Sequence, residues 1–163
     1  AVDDENKVHL YSTEHKLARI LSVCNGSLKD KTILDLGCGS VNTEDRYGDS
    51  RTYEPWLMRV FHEHNIDATG IDIANLGEEF FQYHELNLFR EDSLAFIPDN
   101  SIDLANASFI FNSPSLAKMV VGYIGLFGGY EQQAGEELYQ ILEPQLERIL
   151  KPDGIFMYDM LKL

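Results

Sequence analysis

The chain is expected to fold as a doubly wound α/β domain, a mostly parallel sheet between two layers of helices. Three observations predict it. Short apolar, β-branched runs alternate with helical patterns along the 163 residues, as βαβ units require. The first run, Thr32–Leu36, passes straight into a glycine-spaced turn, Gly37-Cys38-Gly39, backbone of the kind that bends close to a ligand. A second run, "DATGIDI", closes on an acidic residue, Asp72.

Each element has its own warrant. In "STEHKLARILSVCNG", Leu17, Ile20, Leu21 and Cys24 fall at i, i+3, i+4 and i+7, with Ser12 or Thr13 as cap and Gly26 as stop, which reads as an amphipathic helix. After the first strand and its turn, Val41 to Tyr53 is polar and aperiodic, hence a loop. "EPWLMRVFHEHN" is a second helix with Pro55 at its first position; Trp56, Leu57, Val60, Phe61 and His64 share a face. His64 and Trp56 are read there as core residues. "DATGIDI", "QYHELNL" and "SIDLANASFIF" are the second, third and fourth strands. Ser113-Pro114 opens a helical pattern through Phe127, interrupted by Gly122 and Gly125, and is expected to cover the substrate side of the sheet. Gly135 to Leu150 is a further helix, which Pro144 should kink or split. "KPDG" is a turn, and "IFMYDML" is the fifth strand.

Composition bounds the function. A chain of 163 residues that is 44% hydrophobic and 25% charged suits one globular domain, residues 1–163, with a sizeable core. A net charge of −14 argues against nucleic acid and anionic membrane surfaces, both of which demand clustered Lys and Arg. The same field suits a cationic small molecule or a basic protein surface. Cys24 and Cys38 lack metal-ligand spacing and are read as reduced, in a cytoplasmic protein. No apolar run is long enough for a membrane span, and no signal peptide is read at the start of the chain.

In open parallel sheets, ligands bind at the carboxyl ends of strands, where strand order reverses. Asp72 stands at such an end, where a carboxylate can accept both hydroxyls of a ribose. Its bland reading is a cap on a helix beginning near Asn75. A dinucleotide fingerprint would need a third glycine, and Asn42 occupies that place. No helix is expected at the turn to receive a pyrophosphate, so a nicotinamide oxidoreductase is the weaker reading. His62 and His64 lie two apart on a helix and share no face, so no metal site is expected.

The ordered set "LDLGCGS", "TGIDI", "LNL", "IPDNSIDLANA" and "LERILKPDGIFMYD" resembles the class I S-adenosylmethionine-dependent methyltransferases, over roughly Ile33 to Asp159. The resemblance implies a three-layer Rossmann-like fold that binds S-adenosylmethionine. It implies that Asp35, Gly37, Cys38, Gly39 and Ser40 form the loop beneath the methionine portion. It assigns Asp72 to the ribose hydroxyls, Ile73 to the adenine face, Asn87 and Leu88 to the adenine edge, and Asn106 to the neighbourhood of the sulfur.

Some features depart from the family pattern. Its third loop glycine is Val41 here, and the loop after it is long. No Asn-Pro-Pro-Tyr follows strand 4, so methylation by that device is not implied. The family usually adds two strands after the fifth, so the sheet is expected to stop at strand 5, its edge covered by a partner, a second copy or the N-terminal segment. The acceptor is expected to be a small molecule or a protein side chain. The alternative is a non-catalytic relative that binds the cofactor or serves as a partner subunit. Base candidates at the carboxyl ends are Glu54, Asn106, Asn112, Tyr123, Tyr130 and Asp159, with none preferred. Arg51 is read as a surface residue, and the loop Val41–Tyr53 is expected to order over a ligand.

Overall fold

The computed structural model describes residues 4–40, 54–74, 76–108, 110–111 and 130–158. Its elements are α1 (Asp4–Val23), β1 (Thr32–Leu36), α2 (Trp56–Glu63), β2 (Asp67–Asp72), β3 (Gln82–Glu85), β4 (Ile102–Ala107), α3 (Tyr130–Ile149) and β5 (Leu150–Tyr158). The five strands form one sheet in the order β3-β2-β1-β4-β5. All four pairings are parallel. The expected α/β class is therefore the observed one.

Helices cover both faces of this sheet. On one face, Ile20 of α1 and Leu57, Met58 and Phe61 of α2 pack on Ile33, Ala68 and Leu104. On the other, Leu138, Leu142, Leu146 and Ile149 of α3 pack on Leu34, Leu36, Ala105 and Ala107. Strands buried on both faces read as continuous apolar runs, and Ile33 to Leu36 are all buried.

Several boundaries differ from the sequence reading. Helix α1 begins at Asp4, so Ser12 and Thr13 lie inside it rather than capping it. Its first turns lack the apolar stripe by which the rest of the helix is read. Pro55 stands just before α2 rather than within it. His64 is the residue after α2 and is exposed, not core, because the helix ends before the stripe can carry it inward. Met58 takes the buried place instead. Trp56 is only half-buried; Arg59 lies over its ring at 4.8 Å, and its Nε1 is buried with no hydrogen-bond partner.

Among the described residues no helix follows β2 or β3. The segment leading into β4 is held by side chains of α3 instead. Gln145 Oε1 accepts from the Leu94 amide at 2.8 Å, and its Nε2 donates to the Arg90 carbonyl at 3.3 Å. Arg148 donates to the carbonyls of Leu94 and Ile97 at 2.7 and 2.8 Å. Buried backbone groups without a ladder need such partners.

Pro144 neither breaks nor splits α3, which runs as one helix from Tyr130. The proline is exposed, so water can serve the carbonyl that its missing N–H leaves bare. Strand β5 begins earlier than expected, at Leu150, and carries the "KPDG" turn as a bulge. Leu150 pairs with Ile102, and the next pairing is Ile155 with Leu104. The loop Val41–Tyr53, the pattern from Ser113 to Phe127, and Asp159 lie outside the described residues.

Candidate functional site

Strand order reverses between β1 and β4, and there Asp35 of β1 lies opposite Asn106 of β4. Each belongs to a strand whose alternation turns it to the face covered by α1 and α2, as Ile33 and Leu104 are turned. Asn106 Nδ2 donates to Asp35 Oδ1 at 2.6 Å. Ser108 Oγ donates to Asn106 Oδ1 at 3.1 Å. All three side chains are buried.

The glycine turn is fastened to β2. The amides of Gly37 and Cys38 both donate to the Ile71 carbonyl, at 2.7 and 3.0 Å. The Gly39 amide donates to Asp72 Oδ2 at 2.9 Å, and the Ala74 amide to Asp72 Oδ1 at 2.9 Å. Gly37 and Gly39 have φ of 71° and 95°, left-handed backbone that glycine adopts without a Cβ clash. Gly70 makes room for the turn: a Cβ there would stand 2.8 Å from Cys38 Sγ. Asp72 is thus not a helix cap; it closes a short turn onto Ala74 and locks the glycine loop.

The electrostatics of this cluster are unusual for a fold's interior. Burial pushes the Asp35 carboxyl up to about 6, against the opposing pull of Lys16 and the hydrogen bond from Asn106. Burial also raises Asp72, opposed by the amides of Ala74, Gly39 and Ile73. Lys16, from α1, is lowered by burial while Asp35 and Cys38 pull it back. Burial raises the Cys38 thiol far above its ordinary range, and Asp35 and Asp72 add to that. A thiol in that setting is no nucleophile.

Asp35, Gly37, Cys38, Gly39, Asp72 and Asn106 are therefore brought together. Ser40 follows them, fully buried, and Ile73 is half-buried beside Asp72. Asn87 is exposed and accepts from the Phe89 amide at 3.0 Å, while Leu88 packs against the α3-side core. They sit just past the Leu86 amide, which donates to the Asp72 carbonyl at 2.9 Å. On the same side of the sheet, Arg59 joins Glu79 and Glu54, each at 2.6 Å. Of the base candidates, Glu54 is engaged by Arg59, and Asn106 by Asp35 and Ser108. The side chains of Asn112, Tyr123, Tyr130 and Asp159 are outside the description. Sequence reasoning missed Lys16 and Ser108. The signals were present: Lys16 lies one turn before Ile20, and Ser108 lies two residues past Asn106.

Two clefts lie elsewhere. One, of about 420 Å³, runs along β5 beside Arg19, Ser22 and Val23. The other, of about 490 Å³, lies at the amino ends of β1 and β2. Neither collects the carboxylates of the carboxyl-end cluster. Among the described residues no group of three metal-binding side chains forms, and no helix is long and apolar enough to cross a membrane.

No protein-family model matches the chain, and no curated protein matches it. Among solved structures it is similar to a SAM dependent methyltransferase from Archaeoglobus fulgidus, at TM-score 0.48 and 17% identity. The match covers 88% of this chain and 51% of the other, so this chain spans about half the length of that structure. A likeness this distant carries no argument about what this chain binds or does.

Proposed function

We propose that the chain is an S-adenosylmethionine-dependent methyltransferase acting on a small-molecule or protein side-chain acceptor. The observation that carries this reading is the contact between Asp72 and the Gly39 amide at the carboxyl end of the sheet. It joins the glycine turn and the strand-end carboxylate into one cradle.

The residues present fit that cofactor. The amides of Gly39, Ala74 and Ile73 face the Asp72 carboxylate, and a carboxylate has about four acceptor positions, so one is left for a ribose hydroxyl. A methionine end carries one charge of each sign, and Lys16 and Asp35 supply one of each. Bound there, the cofactor would supply an electrophilic methyl group. The chain's own contribution is to fix the turn, to exclude water from Asp35 and Asn106, and to hold charge where a cation sits.

The test is titration calorimetry with S-adenosylhomocysteine and with NAD. Homocysteine-form binding without NAD binding is expected, and Asp72→Ala should weaken it about a hundredfold, or 2–3 kcal/mol. Unchanged affinity in a folded Asp72→Ala protein would reject the assignment. A cofactor-binding subunit without catalysis is the second reading, favoured by the engagement of both Glu54 and Asn106. Methyl transfer to any member of an acceptor panel decides between them.

A further inference from the structure

Among the described residues, one buried side-chain nitrogen or oxygen has no hydrogen-bond partner: the indole Nε1 of Trp56. An indole N–H only donates, and a buried donor left unmatched has given up its hydration for nothing. Such groups are rare in folded chains and call for an acceptor. Turning the ring outward would return the N–H to water, but the ring is held. Arg59 lies over it, 4.8 Å from its centroid. Arg59 is itself fixed, donating to Glu54 and to Glu79 at 2.6 Å each.

This clamp stands beside the carboxyl-end cluster. Trp56 opens α2, and Met58 of the same turn lies against the glycine loop. A Cβ at Gly70 would meet Cys38 Sγ at 2.8 Å and Met58 Cγ at 3.4 Å. Glu79 follows Asp72 in the connection from β2 to β3, and its charge reaches Cys38 as well. Trp56 therefore flanks the Asp72 side of the site. The charges there restrict the acceptor. Glu54 and Glu79 set two negative charges against the one positive charge of Arg59, so an anionic acceptor is opposed and a neutral one is not.

We propose that the Trp56 indole N–H is a ligand donor of this site, serving a neutral acceptor, a ring nitrogen or sugar oxygen, in the nucleoside half of the ligand. The identity of that ligand rests on the cofactor reading above; the donor itself rests on the geometry around Trp56.

Trp56 is the chain's one tryptophan, so its indole gives a single nitrogen-15 resonance. That resonance is followed while the chain is titrated with S-adenosylhomocysteine, adenosine, methionine and NAD. S-adenosylhomocysteine and adenosine should move the indole proton downfield and slow its exchange with water, and methionine should do neither. Trp56→Phe keeps a ring beneath Arg59 and removes the N–H. It should bind S-adenosylhomocysteine about fivefold more weakly, while its Tm stays level or rises, because an unmatched buried donor is gone. A residue that only packs would lose affinity and Tm together, and that result overturns the proposal. So does an indole resonance unmoved at saturating S-adenosylhomocysteine, as when the N–H serves only a buried water; the cofactor reading then stands. A shift with methionine alone places the acceptor in the wrong half and overturns the proposal too. Binding of NAD but not S-adenosylhomocysteine, with the indole shifted, removes the cofactor reading and leaves the donor. Binding of none of the four removes both. The resonance titration uses the unaltered chain, so it decides the matter even if Trp56→Phe does not fold.

Discussion

Asp103 and Asp35 lie at opposite ends of the β1–β4 pair, and their partners differ in kind. At the amino end, Asp103 accepts from Lys151 at 2.6 Å, from the Thr32 amide at 2.9 Å and from Lys31 at 3.4 Å. Burial would raise its carboxyl, but those hydrogen bonds and two lysine charges outweigh it and hold it below the ordinary range. At the carboxyl end, Asp35 has a neutral amide and the partly desolvated Lys16, and burial wins. Residue type therefore does not set the outcome; the charge and exposure of the neighbours do. A stabilising ion cluster ties three strands at one end. At the other, a buried carboxylate held by one neutral amide and a partly desolvated lysine stands at the switch point.

The largest expected effect breaks the carboxyl end. Folded Asp35 keeps its proton up to about pH 6, against an ordinary value of 3.8. Between those values the native state binds more protons than the unfolded one, so stability falls as pH rises through that window. Asp35→Asn removes this titration. Its advantage over wild type should grow by about 2–3 kcal/mol between pH 4 and pH 8, read by urea unfolding at a series of pH values. A difference that stays constant with pH would show that ionisation of Asp35 costs nothing.

Next comes the amino end. Asp103→Ala leaves the Thr32 amide and two lysines without this acceptor, and should lower stability by about 2 kcal/mol at pH 7, or Tm by about 4–8 °C. Asp103 has a depressed folded value, so its contribution is present above the unfolded value and lost as pH falls below it. The deficit should shrink toward pH 3. Affinity for S-adenosylhomocysteine should not change; a fall would mean the two ends are coupled.

The smallest effects sharpen the contrast through two glycines. A Cβ at Gly154 would lie 2.9 Å from the Lys151 carbonyl and 3.0 Å from that of Ile102, both backbone. At Gly70 it would meet Cys38 Sγ at 2.8 Å, a side chain. Gly154→Ala should cost about 1–2 kcal/mol and leave ligand binding alone, while Gly70→Ala should cost about 1 kcal/mol and weaken binding through the displaced turn. Thermal unfolding and calorimetry on both proteins check this. Equal effects on binding would refute the division of labour.

Much of the fold was legible because it rests on local pattern. Ile33, Leu34 and Leu36 form an apolar run broken only by Asp35 because both faces of a central parallel strand are covered, and Leu138, Leu142 and Leu146 repeat at helical spacing because one stripe meets the sheet. Boundaries were less legible. The start of α1 depends on backbone propensity with no apolar stripe to mark it. His64 sits where a stripe predicted burial, and the helix simply stops first. That no helix follows β2 among the described residues had no signal, because the residues there were compatible with a helix start, and Asp72 spends its oxygens on a turn.

The sequence by itself determined the strand order of chemistry: a glycine turn after the first strand, an acid at the end of the second, an amide at the end of the fourth. Those follow from backbone freedom and from strand ends, which neighbouring residues encode. Only the tertiary structure decided that Asn106 reaches Asp35 across 71 residues and that Asp72 holds Gly39 across 33. It alone brought Lys16 of α1 beside them. Hydrogen bonds between residues so far apart leave no local trace, and an ionisation state set by burial belongs to the surroundings rather than to the residue.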